Sequence, residues 1–156
     1  MGPFLLPLLL LSGLALSFID FGGGGSGGDG GEGGDGGGTD TPPQDLHGSS
    51  EDDLLQVTGH DTMSGWDGQD TISANDHAHA YGNDGEDTIY ANDHATVDGG
   101  SGADLIQAQG DASVSGGTGW DELHLSGNAS GSGGSDTDTI WAEGHNLADG
   151  GDGQDK

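Results

Sequence analysis

Single aliphatic residues recur every 17 residues along this chain, as Leu55, Ile72, Ile89, Ile106, Leu123 and Ile140, each embedded in glycine-rich polar sequence. Around them the inward and outward positions alternate with the period of two that a half-buried strand requires. In the stretch from Gly82 this places Ile89 and Ala91 inward, then a short Asn92-Asp93-His94 turn, then Ala95 and Val97 inward again. Tyr90, Thr96 and Asp98 face outward on the same reading. Each repeat therefore predicts two short strands joined by a tight turn. A second inward series, Met63, Ala80, Val97, Val114, Gly131 and Ala148, is mixed in size, so the predicted core is thin.

The same period governs the polar positions. A nonapeptide G-x-x-G-x-D-x-U-x, with U aliphatic, begins at Gly48, Gly65, Gly82, Gly99, Gly116, Gly133 and Gly150; GWDGQDTIS and GNDGEDTIY are its clearest copies. Its sixth position is aspartate in every copy: Asp53, Asp70, Asp87, Asp104, Asp121, Asp138 and Asp155. The six whole copies exceed the roughly three repeats a solenoid needs to bury a continuous core. Aspartate and aliphatic positions keep a fixed phase throughout, which a disordered acidic tract would not require.

These nonapeptides resemble the RTX (repeats-in-toxin) calcium-binding motif GGxGxDxUx, and the resemblance covers residues 48–156. It implies an all-β fold, a right-handed parallel β-roll of about six coils, with Ca²⁺ held between glycine-rich turns. The implied ligands are carboxylates of the sixth-position aspartates and carbonyls of loop residues such as Gly65, Gly68, Gly82, Gly85, Gly99, Gly102, Gly116 and Gly119. Asp67, Asp84 and Asp152 stand as extra carboxylates. Seven loops leave six gaps between coils, so up to six ions are expected. The loop from Gly48 is the weakest, because Glu51 replaces its second glycine; Asp136 makes the same replacement in the loop from Gly133, but aspartate enters left-handed backbone more readily.

The departure from the family is in the period. RTX rolls pair two nonapeptides per coil, whereas here each nonapeptide is followed by an eight-residue segment of another kind, such as ANDHAHAY from Ala74 or AQGDASVS from Ala108. The expectation is one calcium ladder on one side and a tighter turn on the other.

Composition sharpens the case for a cation. Hydrophobic residues make up 29% of the chain, glycines number 36, and the formal charge is −27, so apolar burial cannot by itself offset the ordering entropy. Carboxylates stacked at the strand spacing of about 4.8 Å repel by about 1 kcal/mol per pair even at the dielectric of water. A divalent cation reverses that sign. Calcium suits the donors, since it takes six to eight oxygens in flexible geometry, and the absence of cysteine removes thiolate sites and disulfides. The charge excludes nucleic-acid binding.

The second turn carries a histidine column. Its repeat position reads His60, His77, His94, Asp111, Asn128 and His145, with Asp76 and Asp93 alongside. Such a column could bind a transition metal or form a pH-sensitive edge. The reading favoured here is a turn-compatible set of residues copied by duplication.

Upstream, residues 22–47 read as a flexible acidic Gly-rich tether. Residues 1–21 contain the apolar run PFLLPLLLLSGLALSFIDF, read as an export signal or an uncleaved membrane anchor, and either places the repeats outside the cytoplasm. The seventh copy stops at Lys156 and either caps the sixth site or marks a fragment. No nucleophile-and-base arrangement suggests an enzyme. The expected function is calcium binding by an exported roll that folds on the ion, structural or cell-surface associated. The alternative is calcium-dependent adhesion through an outer face, using Tyr81, Tyr90, Trp141, Trp66 and Trp120. Self-association through coil ends is a further expectation.

Overall fold

The computed structural model describes residues 43–156. They form a parallel β-solenoid with two sheets and no helix among the described residues. The seven-stranded sheet contains β1 (Asp45–His47), β3 (Thr62–Asp67), β5 (His79–Asp84), β7 (Thr96–Ser101), β9 (Ser113–Thr118), β11 (Ser130–Ser135) and β13 (Leu147–Asp152). The six-stranded sheet contains β2 (Leu54–Val57), β4 (Thr71–Ala74), β6 (Thr88–Ala91), β8 (Leu105–Ala108), β10 (Glu122–Gly127) and β12 (Thr139–Gly144).

Every strand pairs with the strand of the next coil in strict register. Ile72 lies beside Ile89, Ile89 beside Ile106, and Met63 beside Ala80. Register is enforced because a one-residue slip would turn every inward side chain to solvent. Leu55, Ile72, Ile89, Ile106 and Leu123 are all 3% exposed or less, and the alanines at Ala78, Ala95, Ala112 and Ala129 are equally covered. Small alanines let the two sheets converge at the second turn. There, Ala95 N–H donates to the Asn92 carbonyl at 3.2 Å, and Asp93 takes a left-handed φ of 58°. Aspartate tolerates that conformation because its short polar side chain can bond locally.

The roll begins earlier than residue 48. β1 pairs with β3, Asp45 beside Thr62 and Leu46 beside Met63, so residues 45–47 belong to the solenoid and not to the tether. Leu46 sits in the inward phase of its column and packs against the core. The segment 1–21 and most of 22–47 lie outside the described residues.

One coil departs from the common packing in a compensated way. Leu125 replaces the alanine found at Ala74, Ala91 and Ala108, and Gly131 stands opposite where Val97 and Val114 occur. A Cβ on Gly131 would lie 2.9 Å from both Leu125 methyls. Gly131→Val is therefore expected to overpack the coil and cost about 1–3 kcal/mol. Adding Leu125→Ala recreates the Ala108–Val114 arrangement of the preceding coil, so thermal unfolding of the double variant should recover most of the loss.

Candidate metal centre

The first turn of each coil runs from the nonapeptide glycine to the sixth-position aspartate, and in the loops from Gly65, Gly82, Gly99, Gly116 and Gly133 its backbone alternates in hand. In the loop from Gly99, Gly100 and Gly102 have φ of 111° and 133°; in the loop from Gly82, Asn83 and Gly85 have 78° and 149°. The alternation directs carbonyls of the second and fourth residues along the solenoid axis at the next turn. A Cβ on Gly102 would lie 1.7 Å from the Gly85 carbonyl oxygen, so no side chain fits there.

The aspartates do not lie in the solvent-facing part of these turns. Asp70, Asp87, Asp104, Asp121 and Asp138 are at most 2% exposed, in one row inside the roll. One oxygen of each is used between coils: Asp70 N–H donates to Asp87 Oδ1 at 2.8 Å, Asp87 N–H to Asp104 Oδ1 at 2.8 Å, and Asp104 N–H to Asp121 Oδ1 at 2.9 Å. The other oxygen, Oδ2, has no hydrogen-bond partner in any of the five. It packs against the first glycine of its own loop, where a side chain would displace it.

A buried carboxylate with an unsatisfied oxygen is costly when ionised. Burial accordingly pushes the Asp104 carboxyl up to about 7, and those of Asp70 and Asp121 up to about 6. The hydrogen bond from the preceding aspartate's N–H opposes this, and neighbouring carboxylates add to it. Asp87 and Asp138 move in the same direction, again chiefly by burial. The row thus demands a positive partner, either protons or a cation.

The two ends of the row differ. Asp53 Oδ2 accepts from Ser49 N–H at 2.6 Å and from the Ser49 hydroxyl at 2.8 Å, so the loop from Gly48 satisfies its own carboxylate. Glu51 stays out of the left-handed region in that loop, whereas Asp136 enters it with φ 82°. At the other end Asp155 Oδ1 accepts from Asp138 N–H at 3.0 Å, and Lys156 bonds to both Asp138 and Ile140 through its backbone. The final half-repeat extends the ladder across the sixth gap.

Asp67, Asp84 and Asp152 are exposed at the outer rim, and Asp84 accepts from the Ser101 hydroxyl. They do not join the buried row. Among the described residues no three histidine, aspartate or glutamate side chains converge on one point. The donor set at the turns is therefore main-chain carbonyls beside one row of carboxylate oxygens. All are hard oxygens, which fits calcium and offers nothing to a thiophilic metal.

The inward position of the aspartates is the feature that sequence reasoning placed least well. The signal was present, because the sixth position lies two residues before the inward aliphatic and so shares its face. No family model, curated protein or solved structure matches this chain. What the fold shows is a parallel β-solenoid with stacked aspartates, of the general kind that suits a calcium-binding β-roll.

Proposed function

We propose that this protein is an exported calcium-binding module of the RTX type, whose roll folds when the ion binds. The observation that carries the reading is the row of five buried Oδ2 atoms without donors, beside turns whose carbonyls point along the stacking axis. Asp70, Asp87, Asp104, Asp121 and Asp138 would supply the carboxylate oxygens, with loop carbonyls such as those of Gly85 and Gly102 completing the set. Calcium supplies positive charge there, which offsets both the burial of the carboxylates and their mutual repulsion. The chain's own part is to hold the oxygens in rank and exclude competing donors.

Calcium-gated folding matches an exported protein. Sites of the weak extracellular class fill where calcium is abundant, and a ligand that binds only the folded state stabilises it by about 2.7 kcal/mol at 100-fold excess over its dissociation constant. The exposed aromatics do not form one face: Trp66 and Tyr81 lie on neighbouring strands of the seven-stranded sheet, Tyr90 and Trp141 on the six-stranded sheet three coils apart, and Trp120 on a turn. Their scatter favours the calcium module over an adhesive face. Circular dichroism of the full chain at neutral pH should change from coil to β on adding millimolar calcium. The same spectrum in calcium and in chelator would sink the proposal.

A further inference from the structure

On the outer face of the six-stranded sheet, β8, β10 and β12 border an open pocket of about 290 Å³, near the lower end of the range for small-molecule sites. Its shape follows from the register of the strands. Gln107, His124 and Trp141 stand side by side in one outward row, and Ser126 and Glu143 stand side by side in the next, one coil beyond Gln109. Ser126 is the smallest of these side chains, and its hydroxyl turns back to the Ala108 carbonyl at 3.4 Å. The second row therefore dips at Ser126, between Gln109 and Glu143, with His124 and Trp141 as the wall. That wall is braced from one side. His124 Nε2 donates to Glu122 Oε1 at 2.6 Å, and the imidazole stacks on the Trp141 indole with centroids 4.6 Å apart and planes at 25°. Trp141 still keeps 48% of its surface exposed, so the stack holds the indole without covering it.

We infer that this pocket binds a neutral saccharide, with room for about one or two pyranose rings. A sugar presents C–H faces that pack on an aromatic ring and hydroxyls that both donate and accept. Trp141 supplies the aromatic surface. The amides of Gln107 and Gln109 and the hydroxyl of Ser126 each donate and accept, and the Glu143 carboxylate accepts from sugar hydroxyls in charge-assisted bonds. An organic cation would find one free carboxylate here, since Glu122 is taken by His124, and would leave the amide donors unused. An anion would meet Glu143 and the field of a chain whose formal charge is −27. The site needs one braced aromatic and not a continuous face, so it is compatible with the scatter of the others. It requires only the folded roll and lies on the outer face, away from the buried aspartate row, so its test is distinct from that of calcium-gated folding.

The test is calorimetric titration of the full chain in millimolar calcium with neutral disaccharides of glucose, xylose, mannose and N-acetylglucosamine. Disaccharides of a uronic acid and of glucosamine serve as the anionic and cationic counterparts. The expected result is saturable binding of about one equivalent of a neutral disaccharide, tighter than either charged form. Trp141→Gln places in the row the residue already found at Gln107, and Ser126→Gln fills the dip with the residue found at Gln109. Each should raise the dissociation constant about tenfold or more. Tyr81→Gln, which removes an exposed aromatic from the other sheet, should leave it unchanged, and circular dichroism of all three variants should match the parent. No saturable binding of any neutral disaccharide, tighter binding of a charged one, or equal effects of Trp141→Gln and Tyr81→Gln would overturn the inference.

Discussion

In chelator the roll is expected to be folded at about pH 4 and to lose its β-structure as the pH rises through about 6. The direction follows from the aspartate row. Asp70 and Asp121 titrate near 6 and Asp104 near 7 in the fold, against 3.8 in an unstructured chain. Between those values the folded state holds protons that the unfolded state has released, so stability is full below about pH 4 and falls as pH rises towards 7. Each pH step of one inside that window removes about 1.4 kcal/mol per carboxyl. Three such groups suffice to unfold a domain whose whole stability is on the order of 5–15 kcal/mol. Relief of general charge repulsion at low pH has the same sign, but its midpoint would sit near about 4, where exposed carboxylates titrate. Circular dichroism followed against pH separates the two, since the buried row places the midpoint near 6. Calcium should abolish the transition up to neutral pH. A metal-free chain most stable at neutral pH would contradict the account.

Asp104→Asn and Asp104→Ala are expected to separate charge from structure. Asparagine keeps the oxygen that accepts the Asp87 N–H, now held at 2.8 Å, and removes a buried ionisable group. The metal-free asparagine variant should therefore be more stable than the parent at neutral pH, while calcium stoichiometry falls and the remaining affinity weakens. Alanine deletes the acceptor, strands the Asp87 N–H in the interior and leaves a void beside Gly99, costing about 1–3 kcal/mol with or without calcium. Denaturant unfolding of the three proteins, in chelator and in calcium, reads both effects. If asparagine destabilises the metal-free roll as much as alanine does, the burial of charge is not what the ion offsets.

Much of this arrangement was legible before the structure. The aliphatic column, the alanines that draw the sheets together, and the outward Tyr90, Thr96 and Asp98 all follow from a period of two inside a period of 17, and all lie where that pattern puts them. Asp136 adopting a left-handed φ while Glu51 avoids it was likewise a matter of side-chain chemistry. Leu46 was overlooked although it keeps the phase of Met63, because it stands outside any nonapeptide and next to a glycine-rich stretch. The pairing of Leu125 with Gly131 was not legible at all, since the two are six residues apart in sequence and meet only across the closed coil.

The chain by itself determined the solenoid, its coil length and the rank of aspartates, because a repeat that cannot bury its inward face alone has to stack on its own copies. Only the tertiary structure decided what the aspartates face. Stacking turns one oxygen of each to the preceding coil's N–H and leaves the other enclosed without a donor. That difference is set by distances between coils, and no local preference encodes it. The same holds for the imidazoles of His60, His77 and His94: their sequence spacing places them in one column, but only the closed turn makes them parallel neighbours at 4.8–5.0 Å.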